Sequence, residues 1–271
     1  MISPVINPVT NLGPPADIVL LLNLAQAAGR EIMRIYASDF AVATKADLSP
    51  VTEADALAEK IILAGLAKHW PEIPVLAEEA AAAGKLPHLG DEFFLVDPLD
   101  GTKEFLSRNG EFTVNIARIY QGKAISGVVY APATDQIYYG QAGTGAAFGL
   151  LAIEQSLPNV TWQSISVRSA PADGLTIVAS RSHMDAATTE YLATRKVKSL
   201  SSAGSSLKFC LIAAGKADLY PRFGRTMEWD TAAGQAVLEA AGGKVLKLDQ
   251  TPLIYGKADR GFDNPAFIAS A

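Results

Sequence analysis

The segment Asp97-Pro98-Leu99-Asp100-Gly101-Thr102 gathers two carboxylates, a proline, a glycine and a hydroxyl in consecutive positions. It follows the apolar run Phe93-Phe94-Leu95-Val96 and precedes Lys103-Glu104-Phe105-Leu106, which reads as the opening of a helix. Two aspartates at a strand end repel each other unless a cation sits between them. Oxygen ligands suit a hard divalent ion, and Mg²⁺ held this way is commonly shared with phosphate. Pro98 fixes φ and donates no hydrogen bond, so a turn there can aim the Leu99 carbonyl at the same cation. Gly101 and Thr102 then offer backbone N–H groups at a helix start, where phosphate binds. The plainer reading is a strand–turn–helix junction with an N-cap aspartate.

Other acids bear on the choice. Glu78 and Glu79 follow the apolar Val75-Leu76, again at a strand end, where a solvated loop pair is the plain alternative. Asp230 follows Trp229 and is expected to open a helix, so that one oxygen could cap while the other binds metal. Thr52-Glu53-Ala54-Asp55 matches a capping box, which would by itself account for Asp55. Asp47, just before Ser49-Pro50, passes as a turn residue. Together Glu78, Asp97, the Leu99 carbonyl, Asp100 and Asp230 could supply two adjacent cations. Such pairs, about 3.5–4 Å apart, clamp the attacking and leaving oxygens of phosphoryl transfer.

These residues need elements to bring them together. Asp17 to Tyr36 and Thr52 to Trp70 repeat apolar residues at helical spacing, the second stopped by Pro71. Strands are expected at Val75-Leu76 and Phe93 to Val96, and a hairpin at Phe112 to Tyr120 and Lys123 to Tyr130 across Gln121-Gly122. Further strands fit Gln136 to Gly140 and Gly145 to Phe148, while Ala80 to Gly84 reads as an alanine-rich loop. Residues 150 to 164 read as irregular. A later block alternates strand Thr176 to Ala179, helix Ser182 to Thr194, helix Ser205 to Ala214, strand Ala217 to Tyr220, helix Asp230 to Ala241 and strand Lys244 to Leu248. The mixture predicts α/β layers in two subdomains: residues 1–155, with most acids, and residues 156–271, with Asp230.

A chain of 271 residues with 49% hydrophobic and 19% charged content has the composition of an ordinary soluble globule. Its formal charge of −5 argues against a nucleic-acid surface, yet bound cations could reverse the local field for a small anionic substrate. Cys210 is the single cysteine, which excludes an intrachain disulfide and a thiolate metal cluster and predicts a buried apolar filler. Met1 to Pro15 has no basic n-region or long apolar core, and Ile18 to Ala25 is too short to span a bilayer. A cytoplasmic protein without an integral membrane segment is expected.

The chain resembles the inositol monophosphatase superfamily of lithium-sensitive, Mg²⁺-dependent phosphatases. The resemblance rests on Glu78-Glu79, on Asp97 to Thr102, and on Trp229-Asp230-Thr231-Ala232-Ala233-Gly234 followed by Glu239-Ala240-Ala241-Gly242-Gly243, and it covers nearly everything from Asp17 onwards. Within the superfamily the chain is most similar to the CysQ type of 3′(2′),5′-bisphosphate nucleotidase. The supporting stretches are Asp47 to Asp55, Asp100 to Phe105, Arg108 to Ala117, Ser180-Arg181-Ser182-His183, Gly204 to Cys210 and Leu219-Tyr220-Pro221-Arg222-Phe223. Inositol phosphatases usually carry Asn-Phe after the Gly-Thr, where this chain has Lys103-Glu104-Phe105. Glu228 is read as a variable position.

The resemblance implies a layered αβαβα sandwich and a role for each matching residue. Glu78, Asp97 and the Leu99 carbonyl would hold one Mg²⁺, and Asp97, Asp100 and Asp230 a second. A third, looser ion would lie near Glu78 with Asp55 and Asp47 in its outer shell. Thr102, backed by Asp55, would orient and help deprotonate the attacking water, with Glu78 counted among the catalytic groups. Glu78, Leu99, Asp100, Gly101, Thr102 and Asp230 would face the cleaved phosphate. Lys208 and Arg222 would hold the second phosphate, Ser205 would donate a hydrogen bond, and His183 would meet the base unless it is simply a surface histidine at a helix start. The implied substrate is 3′-phosphoadenosine 5′-phosphate or its 5′-phosphosulfate relative, in sulfur assimilation or nucleotide recycling. Some members of the superfamily associate with the inner face of a bacterial membrane, for which this sequence has no physical anchor.

Inositol monophosphate or a sugar bisphosphate as substrate is the nearest alternative; Lys103-Glu104-Phe105 with Lys208 and Arg222 favours the nucleotide. An aspartyl-nucleophile phosphatase needs aspartates spaced i, i+2, whereas Asp97 and Asp100 are i, i+3. A catalytically inactive metal- or nucleotide-binding regulator would have lost one of Glu78, Asp97, Asp100, Thr102 or Asp230, and all are present.

Overall fold

The computed structural model describes residues 13–39, 41–44, 50–179 and 186–271. The first half runs α1 (Ala16–Tyr36), β1 (Val42–Thr44), β2 (Pro50–Thr52), α2 (Glu53–His69), β3 (Val75–Ala77), α3 (Glu78–Ala82), β4 (Glu92–Asp100) and α4 (Thr102–Leu106). There follow β5 (Thr113–Tyr120), β6 (Lys123–Ala131), β7 (Gln136–Gln141), β8 (Gly145–Leu150) and β9 (Gln163–Ile165). The remainder is β10 (Leu175–Ala179), α5 (Ala186–Ala193), β11 (Val197–Ser202), α6 (Leu207–Ala213), β12 (Leu219–Arg222), α7 (Glu228–Ala240), β13 (Lys244–Lys247) and β14 (Phe267–Ser270).

Among the described residues the strands form a small β1–β2 ribbon, a seven-stranded sheet in the order β3-β4-β5-β6-β7-β8-β9, and a five-stranded sheet in the order β11-β10-β12-β14-β13. In the larger sheet only β3–β4 is parallel. Strand period puts Phe94 and Val96 on one face of β4 and Phe93 and Leu95 on the other, and both faces are buried. The first face packs with the apolar stripes of α1 and α2. The second packs with α6, α7 and the inner face of the smaller sheet. The order of layers is therefore helices, sheet, helices, sheet, the mixed α/β architecture expected. The helix α7 lies very close to the larger sheet: a Cβ on Gly127 would come within 2.7 Å of the Ala233 carbonyl, and one on Gly140 within 2.6 Å of that of Ala236. Glycine on the strands and alanine on the helix permit this approach, which carries the start of α7 to the end of β4.

Several elements differ from expectation. Residues 80–84 are not simply a loop, because Glu78–Ala82 is helical. The reason is Glu59, whose carboxylate accepts from the amides of Glu79 at 2.7 Å and Ala80 at 2.9 Å and so caps the turn. Residues 150–164, read as irregular, contain a 3₁₀ turn at Leu157–Asn159 and the start of β9. β11 and β14 had no sequence signal strong enough to be expected. β4 does not end at Val96 in a proline turn; it continues to Asp100 through a bulge between Asp97 and Asp100, one of the few places a sheet tolerates proline. Helix α6 starts at Leu207 rather than Ser205, and α7 at Glu228 rather than Asp230. Among the described residues no helix is long and apolar enough to cross a membrane.

Candidate active site

The bulge in β4 is what sets two aspartates three positions apart on one face of the sheet. In a regular strand they would point to opposite faces. Here Asp97 pairs in register with Asn115 and Asp100 with Thr113, and Asn115 and Thr113 are two apart on β5. The extra residue thus returns both aspartates to one face, the face towards α6 and α7. Glu78 arrives at the first position of α3, directly after β3, which pairs with β4. Asp230 arrives from α7.

Ligand oxygens of Glu78, Asp97 and Asp230 all lie within 4.8 Å of one another. Asp97 is 1% exposed and its carboxyl is pushed well above the usual range, first by burial and then by Glu78, Asp100 and Asp230. Asp230 is raised likewise, by burial and then by Asp100 and Glu78. Each accepts from a backbone amide: Asp97 Oδ1 from that of Leu99 at 3.0 Å, and Asp230 Oδ2 from that of Met227 at 2.8 Å. Asp230 is therefore not the N-cap of α7 but its third residue, reaching back to the cap amide. A close-set group of carboxylates, with Asp97 buried and Glu78 and Asp230 half-buried, fits a hard divalent cation. Asp100 stands apart from the trio, its Oδ2 held by Ser205 Oγ at 2.6 Å, the Ser206 amide at 2.9 Å and Asn115 Nδ2 at 3.2 Å.

Beside the acids, Gly101 adopts φ +93°, and a Cβ there would meet Glu104 Oε2 and the Glu111 carbonyl, each at 3.3 Å. The turn delivers Thr102 to the first position of α4. Its hydroxyl is 3.5 Å from Asp55 Oδ1 and 3.4 Å from the Leu99 carbonyl. Asp55 has two separate sets of partners. Its Oδ2 closes the capping box of α2, accepting from the Thr52 amide and hydroxyl at 2.8 Å each, while its Oδ1 faces Thr102.

A cleft of about 900 Å³ runs from this cluster to a basic wall. It is lined by Glu78, Asp97, Leu99, Asp100, Gly101, Thr102, Ser205, Lys208, Arg222 and Asp230, with Phe209, Tyr220, Trp229 and Phe262 as apolar surface. Asp55 lies behind Thr102 and does not line it. Lys208 is 5% exposed; its Nζ donates to the Ser205 carbonyl at 2.6 Å and that of Ala203 at 3.2 Å, and burial brings its pKa down to about 8. Arg222 donates from Nε to the Gly224 carbonyl at 3.1 Å and from Nη2 to that of Arg225 at 2.9 Å. The Ser205 hydroxyl, expected to meet substrate, contacts Asp100 Oδ2 and Thr113 Oγ1. Cys210 is buried, as expected. Asp47 and His183 lie outside the described residues.

Three contributors escaped the reading of the sequence. Glu59 builds the turn that bears Glu78; its signal was its place one turn after Asp55 on an otherwise apolar helix face. Asn115 holds Asp100, and its signal was a lone amide inside the apolar Val114 to Ala117. Glu228, read as variable, is fully buried: it accepts from the amides of Gly256 at 2.7 Å and Lys257 at 2.8 Å and pairs with Lys257 Nζ at 2.7 Å. That anchors the segment leading to Phe262 on the cleft wall.

Comparison with known proteins gives the chain its relatives. The model of the inositol monophosphatase family matches residues 17–267. The 3′(2′),5′-bisphosphate nucleotidase CysQ of Escherichia coli O157:H7 is 48% identical over 249 residues, 91% of this chain and 96% of that protein. The protein of the same name from Buchnera aphidicola is 42% identical over 93% of this chain and 92% of its own length. Among solved structures, CysQ from Bacteroides thetaiotaomicron superposes with a TM-score of 0.80 at 38% identity, covering 98% of this chain and 99% of that one.

Proposed function

Because the chain belongs to the inositol monophosphatase family, we propose that it removes the 3′-phosphate of 3′-phosphoadenosine 5′-phosphate, and of its 5′-phosphosulfate relative. Water oxygen bonds to phosphorus as the bond to the 3′-oxygen breaks. The products from the bisphosphate are AMP, carrying the proton on its 3′-hydroxyl, and inorganic phosphate. The observation that carries this reading is the convergence of Glu78, Asp97 and Asp230 in one cleft with Thr102, Lys208 and Arg222. The choice of a nucleotide follows the likeness to the CysQ nucleotidases.

Enzymes of this family use divalent metals, Mg²⁺ above all, and the donor set here fits one: every side chain is a carboxylate, and Asp97 and Asp230 are raised by burial and then by neighbouring carboxylates, whose repulsion a cation relieves. Glu78, Asp97 and the Leu99 carbonyl would hold one ion; Asp97, Asp100 and Asp230 would hold a second, and a third would lie near Glu78. Bound there, the metal supplies positive charge to the phosphoryl oxygens and acidifies water. The protein's own groups do the positioning. The Thr102 hydroxyl donates to Asp55 and turns its lone pairs to the attacking water, accepting a hydrogen bond that strengthens as the proton departs. Lys208 and Arg222 hold the phosphate that is not cleaved, and the aromatic wall faces the base. Phosphoryl transfer asks for little beyond alignment and charge neutralisation, so no covalent enzyme intermediate is required.

Mg²⁺-dependent phosphate release from 3′-phosphoadenosine 5′-phosphate, the phosphosulfate, inositol monophosphate and fructose bisphosphate tests the reading. The bisphosphorylated nucleotides should lead in kcat/KM. Preference for inositol phosphate or the sugar would assign the same machinery to another substrate, and no release from any would point to a binding protein.

A further inference from the structure

We propose that Asn115 is a positioning residue for the metal centre, its amide tying Asp100 to the start of α7 so that carboxylates on separate elements keep one geometry. The inference rests on the reading that these carboxylates hold divalent cations. Asn115 is 1% exposed and lies opposite Asp97 on β5. Its Nδ2 donates to Asp100 Oδ2 at 3.2 Å and to Ser206 Oγ at 3.1 Å, which spends both amide protons. Ser206 Oγ then donates to the backbone carbonyl of Asp230 at 2.8 Å. One side chain of the larger sheet is thereby linked to one ligand of β4 and, through a single hydroxyl, to the helix turn bearing another.

The orientation of the amide follows from its neighbours. Turned over, Asn115 would set its oxygen against the Asp100 carboxylate and its nitrogen towards Thr113 Oγ1, which donates to Oδ1 at 2.9 Å. The same Asp100 oxygen accepts from Ser205 Oγ and the Ser206 amide, so three donors converge on Oδ2 and Oδ1 is the oxygen left for a cation. Ser205 sits at φ +53°, a left-handed conformation uncommon for serine, which gives its hydroxyl to the Asp100 side and its carbonyl to Lys208. Removing the Asn115 amide would take away one of the three donors that fix Asp100 Oδ2, leaving Ser205 and the Ser206 amide to hold a looser carboxylate, and would leave the Ser206 hydroxyl with one buried partner fewer. A carboxylate that must be reoriented before it can ligate binds its ion more weakly.

The test needs no substrate. Mg²⁺ is titrated into wild type, Asn115→Ala and Ser206→Ala, and its binding is read by calorimetry and by the rise in Tm over a chelator control. The expected result is a rise in the half-saturating Mg²⁺ concentration of about tenfold or more for Asn115→Ala, in line with other residues that orient metal ligands. Ser206→Ala, which keeps the bond to Asp100 but cuts the link to Asp230, should shift it less, and it carries the test if Asn115→Ala does not fold. A folded variant of Asn115 that binds Mg²⁺ as the wild type does, even with a lower Tm in chelator, makes the residue merely structural and overturns the proposal; an unaltered Ser206→Ala overturns the link to α7. A wild type that neither binds Mg²⁺ nor gains stability from it would overturn the metal reading and this inference with it. A failure of the nucleotide assignment alone would leave these titrations unaffected.

Discussion

The two walls of the cleft carry opposite charge and are held in opposite ways. On the acidic wall Asp97 is buried and Asp230 half-buried beside Glu78, and desolvation together with the neighbouring carboxylates pushes the carboxyls of both aspartates upward. On the basic wall Lys208 and Arg222 are already bonded to backbone carbonyls. The first wall is frustrated until a cation arrives, whereas the second is satisfied before any anion does. Charge repulsion among buried groups is relieved only by ligation or protonation, so the acids should govern both turnover and the metal-free protein's stability. The cations should govern only which phosphate ester is preferred.

The largest effect is expected at Asp97. Asp97→Asn keeps an oxygen to accept from the Leu99 amide but removes a charge from the proposed ligand set, and phosphate release should fall below detection at saturating Mg²⁺. In chelator the same variant should melt higher than the wild type, because the repulsion is gone. The pH dependence follows from the direction of the shifts. Asp97 and Asp230 are raised in the folded state, so their stabilising protonation is complete below the ordinary carboxylate pKa of about 4 and is lost as pH rises through the raised values. The metal-free wild type should therefore lose Tm from about pH 4 upwards, and both Mg²⁺ and Asp97→Asn should flatten that slope. Near-normal turnover, or a chelator Tm below that of the wild type, would break the contrast between the walls.

Thr102 comes next. It belongs to the acidic wall through Asp55 but carries no ligand charge. Thr102→Ala should lower kcat by about 10²–10⁴-fold, the usual weight of a positioned proton acceptor, while KM changes little. Thr102→Ser, which restores the hydroxyl, should recover most of the loss. A change confined to KM would make Thr102 a phosphate contact only.

The basic wall should yield less, and selectively. Arg222→Ala or Lys208→Ala should cost the bisphosphorylated nucleotide about 1.5–3 kcal/mol in kcat/KM, the worth of a hydrogen bond to a charged group. A monophosphate, with nothing to place there, should be nearly indifferent. Lys208→Ala also strands the Ala203 and Ser205 carbonyls, so the ratio between substrates is the informative quantity. Equal loss on both substrates would put specificity elsewhere in the cleft.

What could be read in the sequence divides along the same line. Apolar periodicity located α1, α2 and the central hairpin, because buried faces repeat with the period of the element. The candidate ligands stood out because paired acids at a strand end repel each other unless a cation sits between them. The proline bulge could not be read, since local pattern shows that Pro98 interrupts a strand but not that the strand resumes in register. Nor could Asn115 and Glu228 be assigned, because their partners lie 15 residues away in Asp100 and 28 away in Gly256. The capping box at Thr52 and the contact of Asp55 with Thr102 seemed to compete only because sequence does not show that a carboxylate's two oxygens face different neighbours.

The smallest effect on turnover is expected at Glu59, which supports the acidic wall from behind. Its two oxygens accept separately from the Glu79 and Ala80 amides, so it fixes the backbone of the turn rather than any ligand directly. Glu59→Gln retains one acceptor and sets an NH₂ group against the other amide. The cost should fall mainly on stability, about 1–3 kcal/mol for a buried donor left unsatisfied, measured by urea unfolding in chelator. Glu78 would then be held less firmly, and kcat at saturating Mg²⁺ should fall only a few-fold, far short of Asp97→Asn. Glu59→Asp is the harsher change, since the shortened side chain reaches neither amide. If Glu59→Gln instead abolished turnover while leaving unfolding unchanged, Glu59 would belong among the groups that hold the cation, and the acidic wall would extend one helix turn deeper than the trio that meets in the cleft.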